Sequence, residues 1–117
     1  MIAHVILFKP KDGLAARDRQ AVLSSLQNAA AAIPAVRRFR VGRRVRHGLP
    51  GYEQAMPENF EYLVLIEVDD LPALVSYLAH PAHAAFGQHF TQSAAAALAY
   101  DYELVDAADA ATLVDGV

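Results

Sequence analysis

The chain has 117 residues, a formal net charge of −3 and no cysteine. Its length is that of one domain, and the absence of thiol groups excludes disulfides, a cysteine nucleophile and cysteine metal ligands. The acidic balance argues against a nucleic-acid-binding module. The apolar run at residues 1–8 is too short to span a membrane and lacks the flanks of a signal peptide. We therefore expect a cytoplasmic protein that binds neither nucleic acid nor membrane.

The first two predicted elements are a strand and a helix. Residues 2–9 alternate between two apolar faces, which predicts a strand covered on both sides, with His4 as the one polar group on its face. After a turn, apolar side chains recur over residues 14–33 at the three- and four-residue spacing of a helix. Pro34 ends this helix because it has no backbone N–H to donate.

A second strand is predicted at residues 36–45, and most members of an arginine cluster lie within it. Phe39 and Val41 alternate toward the core, so Arg38 and Arg40 are expected to point the other way. One interpretation is a charged edge strand that discourages stray pairing. The alternative is a docking surface for an anionic group such as a phosphate or a coenzyme A thioester. The cluster places six arginines within ten residues, namely Arg37, Arg38, Arg40, Arg43, Arg44 and Arg46.

A long loop and a third strand follow. Residues 47–59 hold two prolines and two glycines and show no periodicity, so they predict a loop longer than most strand connections. We expect this loop to cover one mouth of a cavity, with Tyr52 or Met56 as a lid. Residues 60–68 alternate with period two again and predict the third strand.

Two helices separated by Pro81 come next. Asp69 and Asp70 stand where helix-capping carboxylates belong. Pro81 biases His80 away from helical dihedral angles, so the first helix is expected to end near Ala79. The second helix is predicted over residues 82–97. The apolar stripe of the first helix is predicted to comprise Leu71, Leu74, Val75 and Leu78.

A last strand at residues 99–105 completes the order βαββααβ. This order predicts a ferredoxin-like α+β fold, with a four-stranded antiparallel sheet and the helices on one face. The domain is expected over residues 1–106, followed by a tail at residues 107–117. Because the second face of the sheet is also apolar, we expect two copies to pack their sheets together as a dimeric α+β barrel.

Five segments together resemble one family. They are His4 to Lys9, Ile33 to Val36, Val41-Gly42, the run Tyr-Leu-Ala-His-Pro-Ala-His at residues 77–83, and Tyr-Asp-Tyr at residues 100–102. The chain is similar over residues 1 to about 105 to the stress-responsive A/B barrel (Dabb) family of small dimeric α+β barrels. The His-Pro-Ala-His element is the most specific part of the resemblance.

The resemblance implies a site and a chemistry. A plant enzyme of this family closes a linear polyketide thioester by aldol condensation, without a metal or an organic cofactor. By that resemblance Tyr77 and His83 are catalytic, His4 corresponds to a pocket histidine, and Asp101 orients the catalytic histidine. An imidazole serves as base near neutral pH, and a phenol donates to a developing enolate. The expected protein is a homodimer with a small apolar cavity, a cofactor-free cyclase or lyase that acts on a carbonyl compound.

Other readings stay open at this stage. One alternative is that the barrel is a cofactor-independent monooxygenase. Another is a non-catalytic protein that binds a small apolar ligand or serves in a stress response. In the last case His83 packs at the helix break and Phe8, Phe86 and Phe90 fill the cavity. A metal site at His80, His83 and His89 lacks a convincing third ligand, so no metal is expected.

Overall fold

The computed structural model describes residues 1–115 and has the predicted order of elements. Short 3-10 turns occur at Glu53–Ala55 and Ala107–Asp109. The elements are β1 (Ile2–Pro10), α1 (Ala16–Ala32), β2 (Arg38–Arg43), β3 (Tyr62–Val68), α2 (Leu71–Ala79), α3 (Pro81–Ser93), β4 (Ala94–Glu103) and the short α4 (Ala111–Val114).

The four strands form one antiparallel sheet in the order β2-β3-β1-β4. The predicted four-stranded ferredoxin-like sheet with helices on one face is therefore confirmed. Strand β1 lies in the centre, and its register sets His4 opposite Ile66 on one side and Asp101 on the other. Since residues directly opposite share a face of the sheet, all three lie on one side.

The core lies between that face of the sheet and the helices. Ala29 of α1 is fully buried in this core, and α1 packs chiefly against α3. Tyr77 and Phe86 are the largest fully buried side chains, and they bring α2 and α3 onto the same core. From the strands and from α1 the core also takes Ile6, Val64, Ile66, Val68 and Ile33.

The predicted helix break is confirmed, and two side-chain caps stabilise it. The Asp70 carboxylate accepts the Ala73 N–H at 2.9 Å and starts α2. At the break, Nδ1 of His80 accepts the Ala82 N–H at 3.0 Å, so the His80 side chain caps α3. Side-chain caps of this kind satisfy backbone donors that have no partner within the helix.

The predicted boundary between the last helix and the last strand was wrong. Helix α3 ends at Ser93, and residues 94–97 begin β4 instead of extending the helix. Pairing with β1 explains this, because β4 follows the central strand along its whole length, from Ile2–Glu103 to Pro10–Ala94. The backbone hydrogen bonds between β4 and β1 outweigh the helix preference of alanine.

The predicted apolar stripe of α2 was also largely wrong. Of its four members only Leu74 is buried, whereas Leu71, Val75 and Leu78 are 62%, 57% and 37% exposed. The helix instead turns Tyr77 inward, and this side chain is 0% exposed. A phenol ring removes more apolar surface from water than a leucine or valine side chain, and so it sets the rotation of this short helix.

The second face of the sheet is apolar and open. Val5, Leu7, Leu63 and Leu65 lie across its centre and are only partly buried. Glu58 of the loop reaches Lys9 at one end of this face, while side chains at its centre retain part of their solvent exposure. Its β4 side carries four exposed apolar side chains, namely Leu98 at 39%, Tyr100 at 51%, Tyr102 at 52% and Leu104 at 40%.

The arginine-rich strand β2 lies at an edge of the sheet, as the charged-edge interpretation predicts. Arg38 and Arg40 point away from the core, on the face that also carries Leu65 and Glu67. Glu67 lies 3.8 Å from Arg38 and 4.0 Å from Arg40, while Arg37 forms a bidentate pair with Asp69. Acidic neighbours therefore neutralise much of the cluster.

The predicted lid was wrong. Tyr52 and Met56 are 58% and 54% exposed, and neither lines a cavity. The loop instead folds on itself, because Arg44 donates to Asn59 and to the Glu53 backbone carbonyl. These internal hydrogen bonds hold the loop beside the sheet edge.

The predicted tail contains the second 3-10 turn and α4, all of it exposed as far as Asp115. Residues 116–117 lie outside the described part of the chain. No helix within residues 1–115 is long and apolar enough to cross a membrane.

Candidate functional site

Three rings from separate elements meet on the helix side of the sheet. The Tyr77 and His83 ring centroids are 4.8 Å apart, and the His4 centroid lies 5.6 Å from Tyr77 and 6.3 Å from His83. Together with Asp101 we call these residues the ring cluster. The fold thus assembles all four predicted site residues.

A histidine–carboxylate pair lies at the centre of the ring cluster. His4 Nδ1 is 2.6 Å from Asp101 Oδ1, and the histidine is 6% exposed. Since a carboxylate only accepts, the hydrogen lies on Nδ1, which leaves Nε2 of the neutral ring with a free lone pair. The resemblance implied that Asp101 orients His83. The structure corrects this pairing, because within residues 1–115 the hydrogen-bond partner of Asp101 is His4.

The Tyr77 hydroxyl is buried without a partner. Its Oη makes no hydrogen bond to any group of the described residues, although the side chain is fully buried. Burial raises the pKa of the Tyr77 phenol, and the nearby Asp101 carboxylate raises it further. The group therefore stays protonated and can donate its hydrogen to an acceptor that enters the cluster.

His83 is half-buried at the outer side of the cluster. Burial lowers its pKa, the neighbouring His4 lowers it further, and a hydrogen bond with the Leu78 backbone opposes both effects. A lowered pKa keeps this imidazole neutral near physiological pH. It is then able to accept a proton.

Next to the ring cluster lies an apolar cavity of about 380 Å³. It is enclosed by α1, α3 and the sheet, and its mouth opens past Val41, which is 60% exposed although it faces the helices. The four cluster residues do not line it. Phe86, one helical turn from His83, forms the wall on that side. The other walls include Phe8, Phe90, Val22, Leu26 and Val64.

The remaining histidines do not join the cluster as ligands. His80 is used in capping α3, and His89 makes no side-chain hydrogen bond to a described residue. Within residues 1–115 no three histidine, aspartate or glutamate side chains come together as metal ligands.

A family model for the stress-responsive A/B barrel domain matches residues 2–104. The chain belongs to this family. The family assignment made from the sequence motifs is thereby confirmed. A search among curated proteins found no match.

Solved structures from several organisms share the fold. A protein from Arabidopsis thaliana is 24% identical, with 91% of this chain and 97% of that chain covered and a TM-score of 0.73. A dimeric protein with a ferredoxin-like fold from Bacteroides fragilis is 26% identical, with coverages of 88% and 95% and a TM-score of 0.61. A hydroxynitrile lyase from Passiflora edulis is only 10% identical but has a TM-score of 0.75, with coverages of 90% and 94%. At 24% and 10% identity the likeness establishes the fold alone.

Sequence reasoning named the four members of the ring cluster and the cavity side chains Phe8, Phe86 and Phe90, but it missed the mouth of the cavity. Arg19 and Tyr62 line this mouth. Arg19 lies on the polar side of α1 in a helical pattern, and nothing in that pattern separates it from other solvent-exposed arginines. The only available signal was that Tyr62 falls on the inward face of its strand, at the end nearest the loop.

We expect Tyr77→Phe to leave the free energy of unfolding unchanged or to raise it by about 1 kcal/mol. The variant keeps the ring and removes a buried hydroxyl that has no partner, a group that costs about 1–3 kcal/mol. Urea denaturation measures the change. The control Tyr77→Ala removes the ring as well and should lose about 3–5 kcal/mol. A loss of more than about 1 kcal/mol in Tyr77→Phe would reveal a structural partner for the hydroxyl.

The lowered pKa of His83 gives the stability a pH dependence. The unfolded chain, with the ordinary pKa of 6.5, binds a proton at this side chain more readily than the folded chain does. The free energy of unfolding should therefore fall as the pH drops through that value, down to the folded pKa, and should be fully retained above it. In His83→Gln the fall should be smaller. Titration of the ring by NMR should give a midpoint below 6.5, and a midpoint above it would contradict the assignment.

Proposed function

We propose that this chain is a cytoplasmic homodimer whose ring cluster performs cofactor-free acid–base chemistry on a carbonyl compound, as a cyclase or lyase. The observation that carries the proposal is the meeting of a carboxylate-bound imidazole, His4, with the unpartnered Tyr77 hydroxyl. A base beside a proton donor is what removal of a proton next to a carbonyl requires. Groups with shifted pKa values close together favour a functional site over a purely structural one.

Each residue has a distinct part in this chemistry. Nε2 of His4 removes the proton from the carbon beside the carbonyl, and Asp101 stabilises the imidazolium that forms. Tyr77 donates a hydrogen bond to the carbonyl oxygen as negative charge develops on that oxygen. The enolate carbon then bonds to a second carbonyl carbon, whose oxygen takes up a proton from the imidazolium. His83, neutral and half-buried, is the alternative base at the outer side.

A route to the cluster runs along β4. A shallow groove of about 440 Å³ between the end of α3 and β4 is lined mainly by alanines, including Ala97 and Ala99. These two residues lie on the same face of the strand as Asp101, whose side chain is 41% exposed. Their short side chains leave room for a substrate to approach the carboxylate end of the pair.

The open face of the sheet supports the homodimer. Monomeric proteins rarely expose a continuous apolar face of this kind, and matched structures of the same fold are described as dimeric. A two-fold axis would set Tyr100, Tyr102 and Leu65 of one copy against the same face of the other. The ring cluster lies on the opposite side of the sheet, so such a dimer would not cover it.

One observation favours a non-catalytic role as the second candidate. The apolar cavity is separated from the ring cluster by Phe86, and its walls include the three aromatic side chains Phe8, Phe86 and Phe90. A protein that only stores or senses an apolar ligand needs this cavity and no acid–base pair. Measurement of proton transfer decides between the two roles.

We expect the protein to exchange the acidic hydrogens of an apolar β-keto ester for deuterium. The variants His4→Gln and Asp101→Asn should each lower the exchange rate about 100-fold, because general base catalysis contributes at least that much. Proton NMR in deuterated buffer follows the reaction. His89→Gln changes a histidine of α3 outside the cluster and should exchange at the wild-type rate. Equal rates in all four proteins would exclude the cluster as the base.

We expect Tyr100→Asp to convert the dimer to a monomer. The substitution places a charge in the centre of an apolar interface, where it has no partner. Sedimentation velocity at micromolar concentration measures the effect. Val75→Asp is the matched control, because it also places a charge on an exposed apolar position, 57% exposed, but on α2 and away from the open face. A folded wild-type monomer at micromolar concentration would refute the proposed dimer.

A further inference from the structure

The mouth of the apolar cavity differs chemically from its interior. The interior is made of aliphatic and aromatic carbon, whereas Arg19 of α1 reaches the mouth as the one charged lining residue among those described. Tyr62 of β3 faces it across the opening. An apolar cavity with one charged group at the entrance discriminates between the two ends of a ligand.

Arg19 has unused hydrogen-bonding capacity. Its Nη1 donates to the Leu14 carbonyl at 2.6 Å, and no carboxylate of residues 1–115 lies within ion-pairing distance of it. Arg37 and Arg46, by contrast, are each bound to a carboxylate. Because a guanidinium carries five N–H donors, Arg19 retains donors for an incoming anion.

A second arginine, which does not itself line the cavity, neighbours two residues that do. Arg43 is two residues beyond Val41 on the same face of β2 and lies opposite Tyr62. Within residues 1–115 it also has no carboxylate at ion-pairing distance. It lowers the pKa of Glu61, but the carboxylate of that residue is already bound to Arg46. Arg19 thus lines the mouth as an uncompensated cation, and Arg43 lies beside the lining residue Tyr62.

We propose that the cavity binds an apolar monocarboxylate, of the kind that a medium-chain fatty acid represents. The hydrocarbon chain packs among Phe8, Phe86 and Phe90, and the carboxylate binds Arg19 with Arg43 beside it. This inference rests on the proposed use of the cavity as a ligand compartment and is independent of catalysis at the ring cluster.

Two physical terms favour this class of ligand. Removal of the chain from water supplies the affinity, in proportion to the apolar area buried. The carboxylate supplies the orientation, because guanidinium groups bind carboxylates through charge-assisted and often bidentate hydrogen bonds. A neutral ligand with a hydrocarbon chain of equal length gains only the affinity that burial of the chain supplies. The overall charge of −3 makes the two cations near this mouth a local feature and not a general property of the surface.

Isothermal titration calorimetry with decanoate and with decanol tests the assignment on the full-length protein. We expect Arg19→Gln to weaken decanoate binding about tenfold, the effect of one lost charge-assisted hydrogen bond, and to change decanol binding less than about twofold. Arg43→Gln should weaken decanoate binding further. Arg17→Gln is the matched control, since Arg17 lies on the same helix, lacks an ion pair within residues 1–115 and does not line the cavity.

A variant with a filled cavity tests whether the ligands bind inside the cavity. Leu26→Trp places a bulky side chain in the interior and should abolish binding of both ligands, with folding verified by circular dichroism. Decanoate binding that survives Leu26→Trp, or that Arg17→Gln weakens as much as Arg19→Gln does, would overturn the inference. Decanol bound as tightly as decanoate would overturn the carboxylate assignment alone and leave the compartment intact. If neither ligand binds, the proposal that the cavity is a ligand compartment is wrong. Deuterium exchange still tests the ring cluster separately.

Discussion

The pairing of β1 with β4 is the constraint on which the rest of the structure depends. It joins the first strand of the chain to the last, and its register sets His4 directly opposite Asp101. A shift by one residue would turn each side chain to the other face and separate the pair. The same pairing draws residues 94–97 out of the helix that their composition favours, and these residues line the groove between the end of α3 and β4. One ladder of backbone hydrogen bonds thus builds both the imidazole–carboxylate pair and this groove.

The helix break brings the other half of the site to this pair. His80 is occupied in capping α3, which leaves Tyr77 on the preceding turn and His83 on the following turn free to face the sheet. Packing then fixes the two rings in different environments. Tyr77 is fully buried and keeps its proton, whereas His83 is half-buried and keeps its lone pair. Burial is the largest cause of both pKa shifts, so it does most to assign a donor and an acceptor to the side chains on the two sides of the helix break.

The two faces of the sheet have separate tasks. One face carries the core, the ring cluster and the apolar cavity, and the other carries an exposed apolar surface, on which we propose that a second copy of the chain packs. This separation lets the proposed dimer form without closing the site. The edge strand β2 contributes to both sides, because Arg38 lies near Glu67 on the open face while Val41 lines the cavity on the other. Period-two alternation along a single strand accounts for both.

The sequence by itself determined the order of elements, the antiparallel sheet, the helix break at Pro81 and the family, because these follow from local periodicity, from the dihedral limits of proline and from contiguous motifs. It also named the four side chains of the ring cluster. Only the tertiary structure decided that Asp101 binds His4, that Tyr77 and not Leu78 turns inward on α2, and that Arg19 lines the mouth of the apolar cavity. Each of these depends on strand register or helix rotation, which are fixed by contacts between residues distant in the chain. The local sequence pattern does not reveal such contacts. At residues 94–97 these contacts produce a strand where the local pattern predicts a helix.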